Sequence, residues 1–287
     1  MTPAPMTPAP VTPAPMTQAP ANGPKEERRD RALRATLPLA GLAILVAAWD
    51  LVVRLGQIPP YVLPGPGVVL TALIEDRAVL GEALLATLAT TVEGFVLAAC
   101  GGVLLAVAFN QSRWAEYMLY PFAVALQVTP VVAIAPLLLI YLPAQTAVLV
   151  CAWIVAFFPV LSNTTLGLNS VDRGLTDLFR LHGASRWQEL RYLRLPSALP
   201  HILGGLRIAG GLSLIGAVVA EIAAGSAGAG SGLAFRIAES GYRLNIPRMF
   251  AALALLAAAG IAIFAILSLA SHLMLRRWHE SALRKET

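Results

Sequence analysis

Charge is what this sequence has least of. Only 13% of its 287 residues are Asp, Glu, Lys or Arg, where a water-soluble domain carries about 25%. That deficit excludes a chain folded entirely in water. Lysine is nearly absent, with Lys25 and Lys285 the only two, and neither follows a glycine-rich loop. A phosphate-cradling G-x4-G-K-[ST] loop, whose lysine reaches the phosphates, is therefore missing. The glycine cluster GSAGAGSG at 225–232 contains no lysine and lacks the strand-then-helix setting of a nucleotide fingerprint. It reads as a flexible outer loop. The two cysteines, Cys100 and Cys151, sit in apolar runs and give neither a disulfide framework nor metal-ligand spacing. The four histidines, His182, His201, His272 and His279, are scattered, without an H-E-x-x-H motif or paired acids at helical spacing. No metal site and no catalytic constellation is expected, so the chain reads as a non-enzyme.

What is present is apolar. Hydrophobic residues make up 57% of the chain and the mean hydropathy is +0.70. The runs are continuous rather than alternating, which predicts spanning helices and not a β-barrel. A bilayer core about 30 Å thick takes about 20 apolar residues per helix. Six segments qualify: 37–53, 84–109, 118–141, 144–168, 199–222 and 249–275. The expected fold is an all-α membrane protein of six transmembrane helices, with both termini on one side. Small residues crowd the fifth span at Gly204, Gly205, Gly210, Gly211 and Gly216, as expected for close helix packing or a dimer seam.

Ahead of the spans, residues 1–20 repeat a five-residue unit of the MTPAP type. Proline at that density predicts a disordered, polyproline-like tail. The basic stretch PKEERRDRALR then leads into the first apolar run, which reads as an uncleaved helix rather than a secretory signal. We divide the chain into a tail, 1–36, and a transmembrane domain, 37–287.

The net charge of +5 would suit nucleic acid, but in a membrane protein its placement matters more. With the N-terminus inside, fifteen Lys and Arg fall in inner segments and five in outer ones. Arg207 is left over near the inner end of the fifth span, where it can snorkel. This bias predicts cytoplasmic termini and no nucleic-acid partner.

The longest inner loop, 170–200, joins spans four and five and reads as two short helices. Asp172 caps the first, and Leu175, Leu178, Phe179 and His182 give it one apolar face. Gly183 is the natural stop. Ser185 and Gln188 form a capping-box pattern that starts the second, whose face carries Trp187, Leu190 and Leu193. Pro196 is expected to end it. Spacing leaves open whether these faces pack on their own spans or dock a cytoplasmic protein.

This loop resembles the EAA loop of bacterial ABC importer permeases, E-A-A-x3-G-x9-I-x-L-P. Gly183 takes the glycine position, followed by Ala184, and Leu193, Leu195 and Pro196 take the I, L and P positions. Asp177, Leu178 and Phe179 stand where E-A-A belongs, so both small residues have become large. YVLPGPGVVLTAL (61–73), APLLLIY in the third span, FFPVLSNTTLGL in the fourth, PSALPHILGGLRIAGG and VVAEI are similar to the nitrate, sulfonate and taurine branch. The third span departs from that branch, reading YLPAQ (141–145) where W-F-G-x-G is usual.

The resemblance implies a type I importer permease in the bacterial inner membrane. Asp177, Leu178, Phe179, Gly183, Ala184, Leu193, Leu195 and Pro196 would form the ATPase-coupling site. It also implies two cytoplasmic ATPase subunits, an extracytoplasmic solute-binding protein and a second permease copy, expected as a homodimer within membrane lipid. ATP would be bound by the partner, so this chain carries no cofactor. Cargo would be nitrate-, sulfonate- or taurine-like, or a thiamine precursor. The alternative is a secondary transporter working without an ATPase; inverted repeats, its usual mark, are not seen.

Polar groups inside spans are costly and are candidates for the solute path. They are Glu93, deepest, with Gln127, Asn163 and Glu221; the bland reading is hydrogen bonding between helices. Asp50 lies near an interface. Pro121, Pro130, Pro136, Pro143 and Pro159 break the third and fourth spans, which agrees with a cavity there.

Overall fold

Small side chains recur at helical spacing where the chain is most apolar, and they set how closely its helices approach. In the computed structural model, residues 24–225 and 231–276 are described. The repeat of 1–20, most of the glycine cluster, and Arg277, Arg284 and Lys285 lie outside them. The described residues are helical wherever they are regular. They fall into two units, Met1–Val52 and Val53–Thr287.

The first unit is essentially helix α1 (Pro24–Leu55), whose residues Thr36–Leu55 are long and apolar enough to cross a bilayer. The helix starts at Pro24, so the basic stretch is continuous with it.

The second unit holds α2 (Pro66–Glu75), α3 (Arg77–Gln111), α4 (Arg113–Val128), α5 (Val131–Tyr141) and α6 (Ala144–Asn169). It continues with α7 (Arg173–Leu181), α8 (Arg186–Glu189), a π-helical turn (Leu190–Arg194), α9 (Leu195–Ala224), α10 (Leu233–Tyr242) and α11 (Ile246–Leu275). Its centre is a packed trio, α3, α6 and α9. The buried face of α3 runs Ala83, Thr87, Thr91, Gly94, Ala98, Gly102 and Ala106, small residues about one turn apart. A Cβ on Gly94 would lie 2.7 Å from the Cβ of Ala152, and one on Gly216 would lie 2.7 Å from the carbonyl oxygen of Cys151. Only glycine permits these backbones to meet so closely, and in lipid such packing replaces the hydrophobic drive.

The same contacts give the directions. Gly94 meets Ala152 and Gly102 meets Val160, so α3 and α6 run parallel. Gly167 meets Ala198 while Gly216 meets Cys151, so α9 runs against α6. Gly210 meets Leu267 and Gly260 meets Leu214, so α11 runs against α9. Two consecutive parallel spans need a return between them, and α4 with α5 supplies it. Their ends confirm this: Asn110 in the last turn of α3 donates from Nδ2 to Oδ1 of Asn169, the last residue of α6, at 3.4 Å. A helix of 26 residues is about 39 Å long, so the chain had to cross back before α6 began.

That return is not the single helix read at 118–141. It breaks at Thr129–Pro130 with a 101° bend between α4 and α5. Pro130 has no N–H to give to the ladder and displaces the residue before it from helical geometry. The third span is therefore a broken one. A second correction concerns Pro196, which does not end the hairpin's second helix. The chain runs from α8 through the π turn into α9 as one stretch, Arg186–Ala224. Pro196 falls in the first turn of α9, just past the change from π to α register, where the hydrogen-bond ladder is already interrupted. Short α2 and α10 lie at the opposite end from the hairpin and were not read from the sequence.

Candidate functional site

The site is the α7–α8 hairpin and the bundle end that carries it. Asp172 caps α7, its carboxylate accepting from the backbone N–H of Gly174 at 2.7 Å and of Leu175 at 3.3 Å. Gly183 adopts φ +72°, the left-handed conformation that turns the chain out of α7. Ser185 and Gln188 then form a complete capping box: Ser185 N–H donates to Gln188 Oε1 at 2.7 Å, and Gln188 N–H donates to Ser185 Oγ at 3.3 Å.

The two helices treat their apolar residues differently. Leu190 and Leu193 are buried against the bundle and root the hairpin. On α7 only Thr176 is buried, while Leu175, Leu178 and Leu181 face outward, Leu181 at 85% exposure. Trp187 and Tyr192 are exposed too. The question that spacing left open is thus divided: the π turn that follows α8 packs inward through Leu190 and Leu193, and the apolar face of α7 is unpartnered among the described residues. Between the two helices lies a groove of about 460 Å³ lined by Leu178, Phe179, His182, Gly183, Ala184, Gln188 and Tyr192. His182 Nδ1–H donates to the Leu178 carbonyl at 2.9 Å and holds that wall.

The structure sorts the eight coupling candidates. Leu178, Phe179, Gly183 and Ala184 line the groove. Asp177 lies on the other side of α7, in a smaller cavity of about 300 Å³ with Arg173, Arg180 and Arg194. Leu193 is buried, Leu195 packs on the core, and Pro196 opens α9.

A residue that sequence reading missed ties the hairpin down. Glu189 is 6% exposed and accepts from Arg194 Nε at 2.7 Å and from Arg194 Nη2, while Arg180 approaches from α7 at 3.7 Å. Arg194 Nη1 also donates to the carbonyl of Leu168 in α6 at 3.3 Å. Arg186 donates to the carbonyl of Gln111, closing α3, at 3.3 Å. These bonds connect α7, α8, α3 and α6.

The candidate path residues are spread out. Glu93 and Gln127 are exposed on the surface of the chain, and neither side chain has a hydrogen bond or ion pair among the described residues. Asn163 Nδ2 donates to the Pro159 carbonyl one turn back within α6, at 2.8 Å. Glu221 is buried at the far end of α9. Thr87 donates to its Oε1 at 2.8 Å, and the Ala234 N–H donates to its Oε2 at 3.1 Å. Thr87 Oγ1 accepts from the Leu233 N–H at 2.9 Å. Glu221 and Thr87 thus cap the first two free N–H groups of α10 across the bundle. Nearby, Arg248 of α11 grips Asp76 through two bonds, Nε to Oδ2 at 2.7 Å and Nη2 to Oδ1. The Arg248 guanidinium holds the Asp76 carboxyl below its ordinary range, and Arg236 does the same for Glu239.

Among the described residues no group of His, Cys, Asp and Glu could hold a metal. The described residues thus form a polytopic helical unit with a rooted hairpin, an open groove and one broken span. Residues 98–282 match the family described as the binding-protein-dependent transport system inner membrane component. The riboflavin transport system permease protein RibX of Chloroflexus aurantiacus is 35% identical over 84% of this chain and 89% of its own length. The formylaminopyrimidine transport permease protein ThiX of Halalkalibacterium halodurans is 33% identical over 85% and 97%. A chain from the crystal structure of an amino acid ABC transporter superposes with a TM-score of 0.58 at 21% identity, covering 72% of this chain and 97% of that one, a likeness of fold. The chain belongs to the binding-protein-dependent inner membrane component family. It is a multi-pass permease subunit of a small-solute importer in the bacterial plasma membrane.

Proposed function

We propose that the α7–α8 groove receives a cytoplasmic ATPase subunit, and that ATP bound there drives this chain between inward- and outward-open states. The observation that carries the reading is the unpartnered apolar face. Leu175, Leu178, Leu181, Trp187 and Tyr192 stand exposed on a hairpin whose root is fixed by buried Leu190 and Leu193. Burying one such side chain is worth about 1.5–3 kcal/mol, so a partner gains much by covering several. The sequence has no G-x4-G-K-[ST] loop, which supports assigning ATP and its hydrolysis to that partner.

The hairpin end, rich in arginine, is assigned to the cytoplasm, and α2 and α10 to the outer face, where a solute-binding protein would deliver cargo. Glu93 supports a second copy. A mid-span carboxylate does not face lipid without large cost, so the exposed face carrying it would border an aqueous path between two permeases. The cargo is assigned to the small-solute class expected from the sequence, widened to heterocycles such as those named for the two relatives.

Gly183→Arg tests the coupling site, since it strains φ +72° and fills the groove. The variant should reach the membrane at normal level and lose co-purification with the ATPase. Normal co-purification would overturn the groove as the coupling site, whereas uptake that persists without ATP would return the reading to a secondary transporter.

A further inference from the structure

Where α3 ends, the chain turns at Ser112 into α4, and a cavity of about 780 Å³ opens beside the root of the hairpin. Arg113, Arg180, Arg186 and Arg194 line it, against two carboxylates, Glu116 and Glu189. Glu189 is already held by Arg194 and Arg180. Arg186 uses one N–H on the Gln111 carbonyl, and the Arg113 side chain makes no hydrogen bond or ion pair among the described residues. The lining therefore carries a net positive charge and guanidinium donors that the protein leaves unspent.

Its depth is set by its walls. Gln111 and Asn169, which end α3 and α6, line the cavity, so it lies where the bilayer meets water. Trp114 and Tyr117 line it as well and stand 86% and 70% exposed. Such rings settle at headgroup level. Just beyond them α4 presents exposed Met118 and Phe122, a surface for acyl chains.

We propose that this cavity binds the phosphate of an anionic phospholipid headgroup, with Arg113 and Arg186 as its principal donors. Guanidinium forks match phosphate oxygens in pairs, and basic pockets between spans are where anionic headgroups bind. The lipid would bridge α4 to the hairpin at the point where the hairpin is fixed to α3. Naming the cytoplasmic leaflet rests on the proposed orientation; the binding does not.

The test uses the purified full chain with its partner subunits in nanodiscs of phosphatidylcholine with graded phosphatidylglycerol. Retained lipid is then counted by native mass spectrometry. Each arginine near a charged surface contributes about fivefold, so Arg113→Gln/Arg186→Gln should weaken phosphatidylglycerol retention roughly 25-fold. Arg191→Gln, exposed on the same hairpin but outside the cavity, should leave it unchanged. Arg113→Gln alone breaks no bond within the chain, and its roughly fivefold loss keeps the test valid if the double variant misfolds. Full retention in these cavity variants, or equal loss in Arg191→Gln, overturns the site. Inorganic phosphate raising the melting temperature of lipid-free protein through Arg113, with no lipid retained, overturns the lipid as its source. Absence of an ATPase partner alongside retained lipid would refute only the proposed function.

Discussion

At the scale of single residues, acids that look alike in the sequence have different work. Glu93 is exposed at mid-span, Glu189 and Glu221 are buried and bonded, and Asp76 sits in a two-armed grip with Arg248. Asp76 carries a measurable consequence. Its carboxyl is held below its ordinary range, so its folded-state stabilisation is present above the unfolded value near pH 4 and is lost as pH falls through the lower folded value. Thermal unfolding of the solubilised protein should therefore drop between about pH 5 and about pH 3. Asp76→Asn should lower stability at neutral pH by about 1–2 kcal/mol and flatten part of that slope. Glu239, depressed by Arg236, keeps the rest.

At the scale of elements, the hairpin was legible and its anchorage was not. The Asp172 cap, the Gly183 stop and the Ser185–Gln188 box depend on neighbours within a few residues, and all three stand where their spacing puts them. The Glu189–Arg194 bond spans five residues, a separation that an α-helix does not bring together. It forms because a π turn intervenes, and no local signal marks that turn. In a reconstituted importer, Glu189→Gln should leave Arg180 and Arg194 without their buried counter-charge and loosen the hairpin from α6. ATP hydrolysis should then exceed solute uptake severalfold over wild type when both are measured in one proteoliposome assay. A proportional fall in both rates would mean that the network only supports the fold.

At the scale of the whole molecule, alternation of direction gives sidedness within Val53–Thr287. α3, α6 and α11 run one way, α9 and the broken α4–α5 pair the other, so the hairpin and the end of α11 share a side. With Cys100 and Cys151 replaced by serine, a cysteine at Arg191 should react with an impermeant maleimide only from the cytoplasmic side of membrane vesicles. A cysteine at Tyr242, 91% exposed at the end of α10, should react only from the outer side. Labelling from the reverse sides would invert the topology. The relation of this unit to α1 is not needed for the test.

The sequence by itself determined the class of molecule, the span count and the caps of the hairpin. Apolar length, scarcity of charge and cap spacing are local quantities, fixed by bilayer thickness and backbone geometry. Only the tertiary structure decided which polar groups meet. Thr87 and Glu221 lie 134 residues apart, and Asp76 and Arg248 lie 172 apart. Such pairs exist because small residues let α3, α6 and α9 approach to backbone contact, which spacing along one helix cannot reveal. The bend at Pro130 falls between the two. Proline announces the break, but its 101° angle follows from where the return must deliver the chain so that α6 can lie parallel to α3.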